Sequence, residues 1–143
     1  MEDYIIKTGD LLKVNLAPPA TVPALQAPVP LIGSSRDVLV GGVPVCLRGD
    51  ELPLTLRLPL PYTAAPYTNP GTGTLSLSLL PANTTQLTEN GKPLLIKGKK
   101  FIATFTVGTP ATQSTPDGPV PDPVQTKQGT AEFITTNDTV KAG

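Results

Sequence analysis

The sequence has no histidine, no tryptophan and a single cysteine, Cys46, in 143 residues. Without histidine there is no Ser-His-Asp triad, no Cys-His dyad and no His-ligated zinc or iron. One cysteine forms neither an internal disulfide nor a cysteine-rich metal site, and in VPVCLRG Cys46 reads as a small buried hydrophobe. Charge is sparse: 11 basic side chains balance 11 acidic ones, so no broad attraction for nucleic acid is expected. No apolar run approaches the ~20 residues of a membrane span. The start, MEDYIIKTGDLLKVNL, is acidic and lacks the basic and apolar regions of a signal peptide. The expectation is a chain made in the cytoplasm without a signal peptide.

What the chain does have is 18 prolines and 13 glycines, with 38% hydrophobic and only 15% charged residues. A disordered chain is poorer in aliphatics and richer in charge, so this one folds. Each proline inside a helix would cost about 3 kcal/mol, and no amphipathic helix emerges. The composition predicts an all-β fold, with residues 1–143 forming one domain.

Short strands are legible between turn signals. Two apolar runs flank Gly9-Asp10, DVLVGG (37–42) leads into VPVCLRGD (43–50), and TLSLSLL (74–80) alternates with period two. LTLRL (54–58) does the same and predicts a strand with Leu54, Leu56 and Leu58 on one face. Asn90-Gly91 is a hairpin signal ahead of KPLLIKGKK, FIATFTV (101–107) is β-rich, and a last strand is expected near 130–135. Segments 17–30, 59–73 and 108–123 are rich in proline or threonine and read as extended loops.

Sliding the chain against itself by 49 residues lays GVPVCLRGDELPLTLRL (42–58) over GKPLLIKGKKFIATFTV (91–107). Gly42/Gly91, Pro44/Pro93, Gly49/Gly98 and Thr55/Thr104 coincide, and Leu52/Phe101 and Leu56/Phe105 are conservative matches. TGDLLKV around Gly9-Asp10 matches RGDELPL as a partial third copy. Each copy is a strand–turn–strand unit that cannot bury its apolar face alone, so copies must pack together. The repeat elements span about 5–16, 37–58 and 86–107. The residues expected to shape the turns are Gly9, Asp10, Gly42, Gly49, Asp50, Gly91 and Gly98.

Candidate chemistry is thin. Asp10, Asp37, Asp50 and Glu51 are the candidate paired carboxylates, but glycosidase-type catalysis needs two at a set separation in a cleft. The Gly-Asp context already accounts for Asp10 and Asp50 as turn formers. The expectation is a non-enzyme with no catalytic residue and no cofactor. Lys92, Lys97, Lys99 and Lys100 form the one charge cluster, either a solvated edge or a patch for an acidic partner or phosphate. Tyr62 and Tyr67 either pack their loop over the core or serve as a docking site. NTT (83–85) fits a glycosylation sequon but reads as a turn.

The pattern V-x-V-x-G-x-P-V-x-x-x-G-D, carried by Val38, Val40, Gly42, Pro44, Val45, Gly49 and Asp50, resembles the PAAR (proline-alanine-alanine-arginine) repeat family and its PAAR-like relatives. LTENGKPLLIKGKK looks like a further copy with Lys99 in place of the closing Asp. The resemblance covers about residues 5–107. It implies a small conical β structure, one copy of which caps a trimeric β-helical spike in contractile injection systems such as phage tail-like particles and type VI machines. There it sharpens the spike for puncture, makes transient contact with the target membrane and carries effector cargo. It would be assembled into the particle and delivered outside the cell or into a target cell. Family members commonly hold a zinc near the tip through three histidines and a cysteine; with no histidine here, no metal is expected. The alternative reading is a β-sandwich-type binding or adhesion module with no injection role.

Overall fold

A computed structural model describes residues 3–89, 91–137 and 139–142, apart from the side chain of Leu87. The fold is all-β. In chain order the strands are β1 (Asp3–Tyr4), β2 (Leu11–Leu16), β3 (Ala20–Thr21), β4 (Val29–Pro30), β5 (Leu39–Val40), β6 (Val43–Pro44), β7 (Leu60–Ala64) and β8 (Tyr67–Ser78). They continue as β9 (Thr84–Glu89), β10 (Lys92–Leu95), β11 (Phe101–Thr109), β12 (Thr112–Thr115), β13 (Gly118–Pro121), β14 (Thr126–Ile134) and β15 (Lys141–Ala142).

Nine strands form one sheet in the order β13-β12-β8-β11-β14-β2-β4, with β7 on the other flank of β8 and β3 beyond it. All pairings are antiparallel. The sheet curls into a half-barrel, and its concave side holds the main core. Period-two burial delivers that core: Phe101, Ala103 and Phe105 from β11, Ala131 and Phe133 from β14, and Leu12 and Val14 from β2 are all buried. All three phenylalanines of the chain are at most 1% exposed. Phe101 packs on Phe133 with ring centroids 4.9 Å apart. One sheet curled on itself is not the face-to-face pair that a sandwich-type module needs.

Several expectations are corrected. Residues 54–58 are not a strand: Leu54–Leu56 is a 3₁₀ turn. Leu56 is buried there while Leu54 and Leu58 are 73% and 67% exposed, so the three leucines do not share a face. Two of the three supposed loops are largely strand. Segment 59–73 supplies β7 and half of β8, a hairpin around the cis Ala65–Pro66 bond, and 108–123 contains the β12–β13 hairpin. Segment 17–30 contributes the short β3 and β4 and a 3₁₀ turn at Pro23–Leu25. Pro119 and Pro121 are accommodated because they lie on β13, which ends the sheet and needs no further donors. The strand expected near 130–135 is β14, which starts earlier, at Thr126, and is not the last, since β15 follows it. The repeat also stops being structural after Gly49/Gly98, since 54–56 is a 3₁₀ turn while 101–109 is a strand.

Candidate functional site

The repeat's first half builds a closed ring of three strands. Each is the inner member of a two-stranded antiparallel pair: β1 with β15, β6 with β5, and β10 with β9. Continuing past these pairs, the inner strands bridge one another at Ile5–Ile96, Lys7–Val45 and Leu47–Leu94. Their backbone hydrogen bonds run in cycles. Cys46 N donates to Ile6 O (2.8 Å), Ile6 N to Leu95 O (3.0 Å) and Leu95 N to Cys46 O (2.9 Å). A second cycle runs Thr8 N to Pro44 O (2.9 Å), Arg48 N to Pro93 O (2.8 Å) and Lys97 N to Tyr4 O (2.9 Å). The three segments are thus equivalent at offsets of 40 and 49 residues, and one chain makes an approximate threefold arrangement. Ring closure satisfies donors that an open edge would leave exposed. Ile5, Val40, Val45, Leu47, Leu94 and Ile96 form a second core separate from the half-barrel's.

The turn residues singled out from the sequence lie at matched places in this ring. Gly9, Gly49 and Gly98 end the three inner strands with φ of +94°, +107° and +51°, while Gly42 and Gly91 precede two of them at +84° and +80°. Positive φ is the conformation that glycine adopts without steric cost. Asp10 and Asp50 do more than form turns. Asp10, 1% exposed, accepts from the Lys7 amide (2.9 Å), the Thr135 hydroxyl (2.6 Å) and the Thr136 amide (3.2 Å). Asp50 accepts from the Leu47 amide (2.8 Å) and from the amide and hydroxyl of Ser34 (2.9 and 2.7 Å). Each carboxylate therefore ties the end of an inner strand to the segment leading into an outer one.

At the third corner Lys99 replaces the aspartate, and the tying side chain comes from the outer segment instead of the turn. Asn83, 49 residues beyond Ser34, donates its Nδ2 to the carbonyls of Lys97 (3.1 Å) and Lys99 (2.8 Å) and accepts from the Leu80 amide (3.0 Å). Sequence reasoning missed Asn83 because it looked for the lost carboxylate inside the turn; extending the 49-residue register back to Ser34 would have found it. Asn83→Asp should destabilise the protein by about 2–3 kcal/mol, because a carboxylate cannot donate to two carbonyls. An unchanged urea midpoint would remove Asn83 from this role.

The remaining candidates separate. Cys46 is fully buried; burial first, then Asp50, Asp10 and Glu51, push its thiol up to about 12. It stays protonated and unreactive at neutral pH. Its ring partners are Ile6 and Leu95, and among the described residues no group of three His, Cys, Asp or Glu could hold a metal. The vertex metal implied by the resemblance does not fit this donor set. Glu51 accepts from the Gly49 amide at 2.8 Å. A groove of about 590 Å³ passes Asp50 and Glu51, but both carboxylates are engaged by the turn. Lys92, Lys97, Lys99 and Lys100 are exposed.

Tyr62 is fully buried, which removes it from any docking surface, while Tyr67 is half-buried. The Tyr62 hydroxyl donates to Asp122 Oδ2 (2.9 Å) and accepts from the Ala111 amide (3.0 Å). Lys127 Nζ lies 2.6 Å from the same Asp122 oxygen, with both side chains buried. Nothing in the local sequence marks this triad, which fastens segment 111–122 to the half-barrel.

No helix is long and apolar enough to cross a membrane among the described residues, and no curated protein matches the chain. A family model for the contractile injection system spike tip protein matches residues 1–143. With an all-β body, a threefold strand ring and a match over its whole length, the chain belongs to the contractile injection system spike tip protein family.

Proposed function

We propose that one copy of this protein caps the end of a trimeric β-helical spike, sharpens it for membrane puncture and carries cargo, without catalysis. The supporting observation is the ring, in which a single chain presents three equivalent strands closed by cyclic hydrogen bonds. A trimer end offers three identical strand sets, and an asymmetric single chain meets them best when it repeats its own backbone three times. Exposed apolar side chains next to two of the corners, Ile32 at 76% and Leu54 at 73%, supply contact area for such docking. In this reading the turn set Gly9, Asp10, Gly42, Gly49, Asp50, Gly91 and Gly98 keeps the ring rigid under axial load. The protein is made in the cytoplasm, joins the particle there and touches the target membrane only transiently.

Co-expression with its trimeric spike protein followed by native mass measurement tests the reading. The expected complex holds one copy per three spike chains. A complex with three copies, or no complex, overturns it.

A further inference from the structure

The outer arms of the ring repeat as the inner ones do. LIGSSRDVLV (31–40), LPANTTQLTE (80–89) and FITTNDTVKA (133–142) align at successive offsets of 49 and 53 residues. The structure keeps this register. Val40, Glu89 and Ala142 face Val43, Lys92 and Asp3 across their hairpins. Val45 N donates to Val38 O (3.2 Å) and Ile5 N to Val140 O (3.1 Å). The amides of Ser34 and Thr136 meet the carboxylates of Asp50 (2.9 Å) and Asp10 (3.2 Å) at the same place where Asn83 holds the Lys99 carbonyl (2.8 Å).

Among the described residues, three register places of these arms are exposed in all three copies. Two of them change character from copy to copy. One carries Asp37, Gln86 and Thr139, the other Leu39, Thr88 and Lys141. The third stays apolar, with Ile32, Pro81 and Ile134. Ile32 is 76% exposed and Ile134 38%. The residue before each, Leu31, Leu80 and Phe133, packs into the half-barrel's core. Local structure does not impose the apolar choice: Ile32 lies in an irregular segment, Pro81 opens a 3₁₀ turn and Ile134 ends β14. Single exposed apolar side chains are ordinary on any surface. Three at one register place of a threefold ring are not scattered.

The occupant follows from the symmetry. A single partner chain meeting one corner would use one of these residues and leave the other two without a role. A homotrimer end presents the same site three times about its axis, and each copy of the site needs the same chemistry from the cap. The two variable triplets cannot supply that, because they mix charged, polar and apolar side chains. The apolar triplet can, and it fits an apolar site on each partner chain. We propose that Ile32, Pro81 and Ile134 are the spike-docking contacts of this protein, each seated in the same apolar site of one of three identical spike chains. The proposal rests on the capping reading above and names the surface that performs it. Removing the three side chains from water supplies affinity, and their repetition sets the ratio of one copy to three spike chains.

Two measurements on the full chain with its trimeric spike protein test this. In the first, Ile32, Pro81 and Ile134 are replaced in turn by a benzophenone-bearing amino acid and the complexes are irradiated. Because the spike chains are identical, all three positions should cross-link to the same stretch of spike sequence. Val124, 51% exposed between β13 and β14, should give no cross-link when replaced in the same way. In the second, calorimetric titration compares Ile32→Thr and Ile134→Thr, which keep β-branched side chains at both places. Each should weaken spike binding about tenfold, and the double variant about a hundredfold. Val124→Thr should bind like the wild type. Cross-links to unrelated spike segments, cross-linking from position 124 but not from the three, or single variants that bind within about twofold of the wild type each overturn the proposal. The cross-links keep the test valid if a threonine variant misfolds. Any of these results obtained with an intact wild-type complex of one copy per three spike chains removes this surface and leaves capping standing. Absence of a wild-type complex removes both.

Discussion

Lys127→Met should lower stability by about 3–5 kcal/mol, the cost of leaving one member of a buried ion pair without its partner. Asp122 and Lys127 are 4% and 8% exposed and 2.6 Å apart. The side chain of Met fills much of the lysine volume, so the loss reports the stranded Asp122 charge and not a cavity. For a chain of this size the melting temperature should fall by about 10–15 °C. The double variant Asp122→Asn, Lys127→Met should recover a large part of the loss, because it removes both charges. A single variant that melts with the wild type would show that the pair contributes no net stability.

The same pair sets an acid limb. Burial pushes the Asp122 carboxyl up, but the Lys127 ammonium, the Val124 amide and the Tyr62 hydroxyl more than reverse this and leave it below its ordinary value. A depressed carboxylate contributes stability that is fully present above the unfolded value of about 3.9 and is lost as pH falls through the folded value. The wild-type melting temperature should therefore drop below about pH 4, and Asp122→Asn should flatten that limb from a lower starting point. Equal slopes in the two proteins would assign the acid loss to other carboxylates.

The second large effect is expected at Gly98. Gly49→Val should cost about 1–3 kcal/mol, all of it backbone strain, because φ is +107° and nothing lies within 4 Å of an added Cβ. Gly98→Val should cost more than about 4 kcal/mol. Its φ is +51°, and an added Cβ would run into the Ala82 carbonyl oxygen and come within 2.8 Å of Asn83 Nδ2, the group that ties the third corner. Gly108→Ala, whose nearest neighbour would be Thr72 O at 3.8 Å, should change stability by less than about 1 kcal/mol and serves as the control. Urea midpoints order the three variants. If Gly98→Val proves no worse than Gly49→Val, the close packing of the third corner is not rigid.

The sequence by itself determined the all-β class and placed glycines at 9, 42, 49, 91 and 98, where φ is positive. Those properties are local: proline and glycine restrict φ whatever surrounds them, and period-two hydrophobicity needs only one buried face. It also limited the chemistry, because side chains that are missing cannot act. Proline-rich segments misled for a related reason. Proline forbids a ladder bond only where one is needed, and whether a strand lies at a sheet's edge depends on its neighbours. Segments 59–73 and 108–123 thus became strands on tertiary grounds, while LTLRL, with a strand's pattern, became a 3₁₀ turn. Only the tertiary structure closed the ring, since its cyclic bonds join residues that are far apart in sequence, such as Ile6 with Leu95 and Tyr4 with Lys97. It also moved the tying side chain of the third corner to Asn83 and buried Tyr62 with Asp122 and Lys127. Each of these depends on which distant groups meet, and charge pairing and burial are properties of that meeting, which no local pattern of residues encodes.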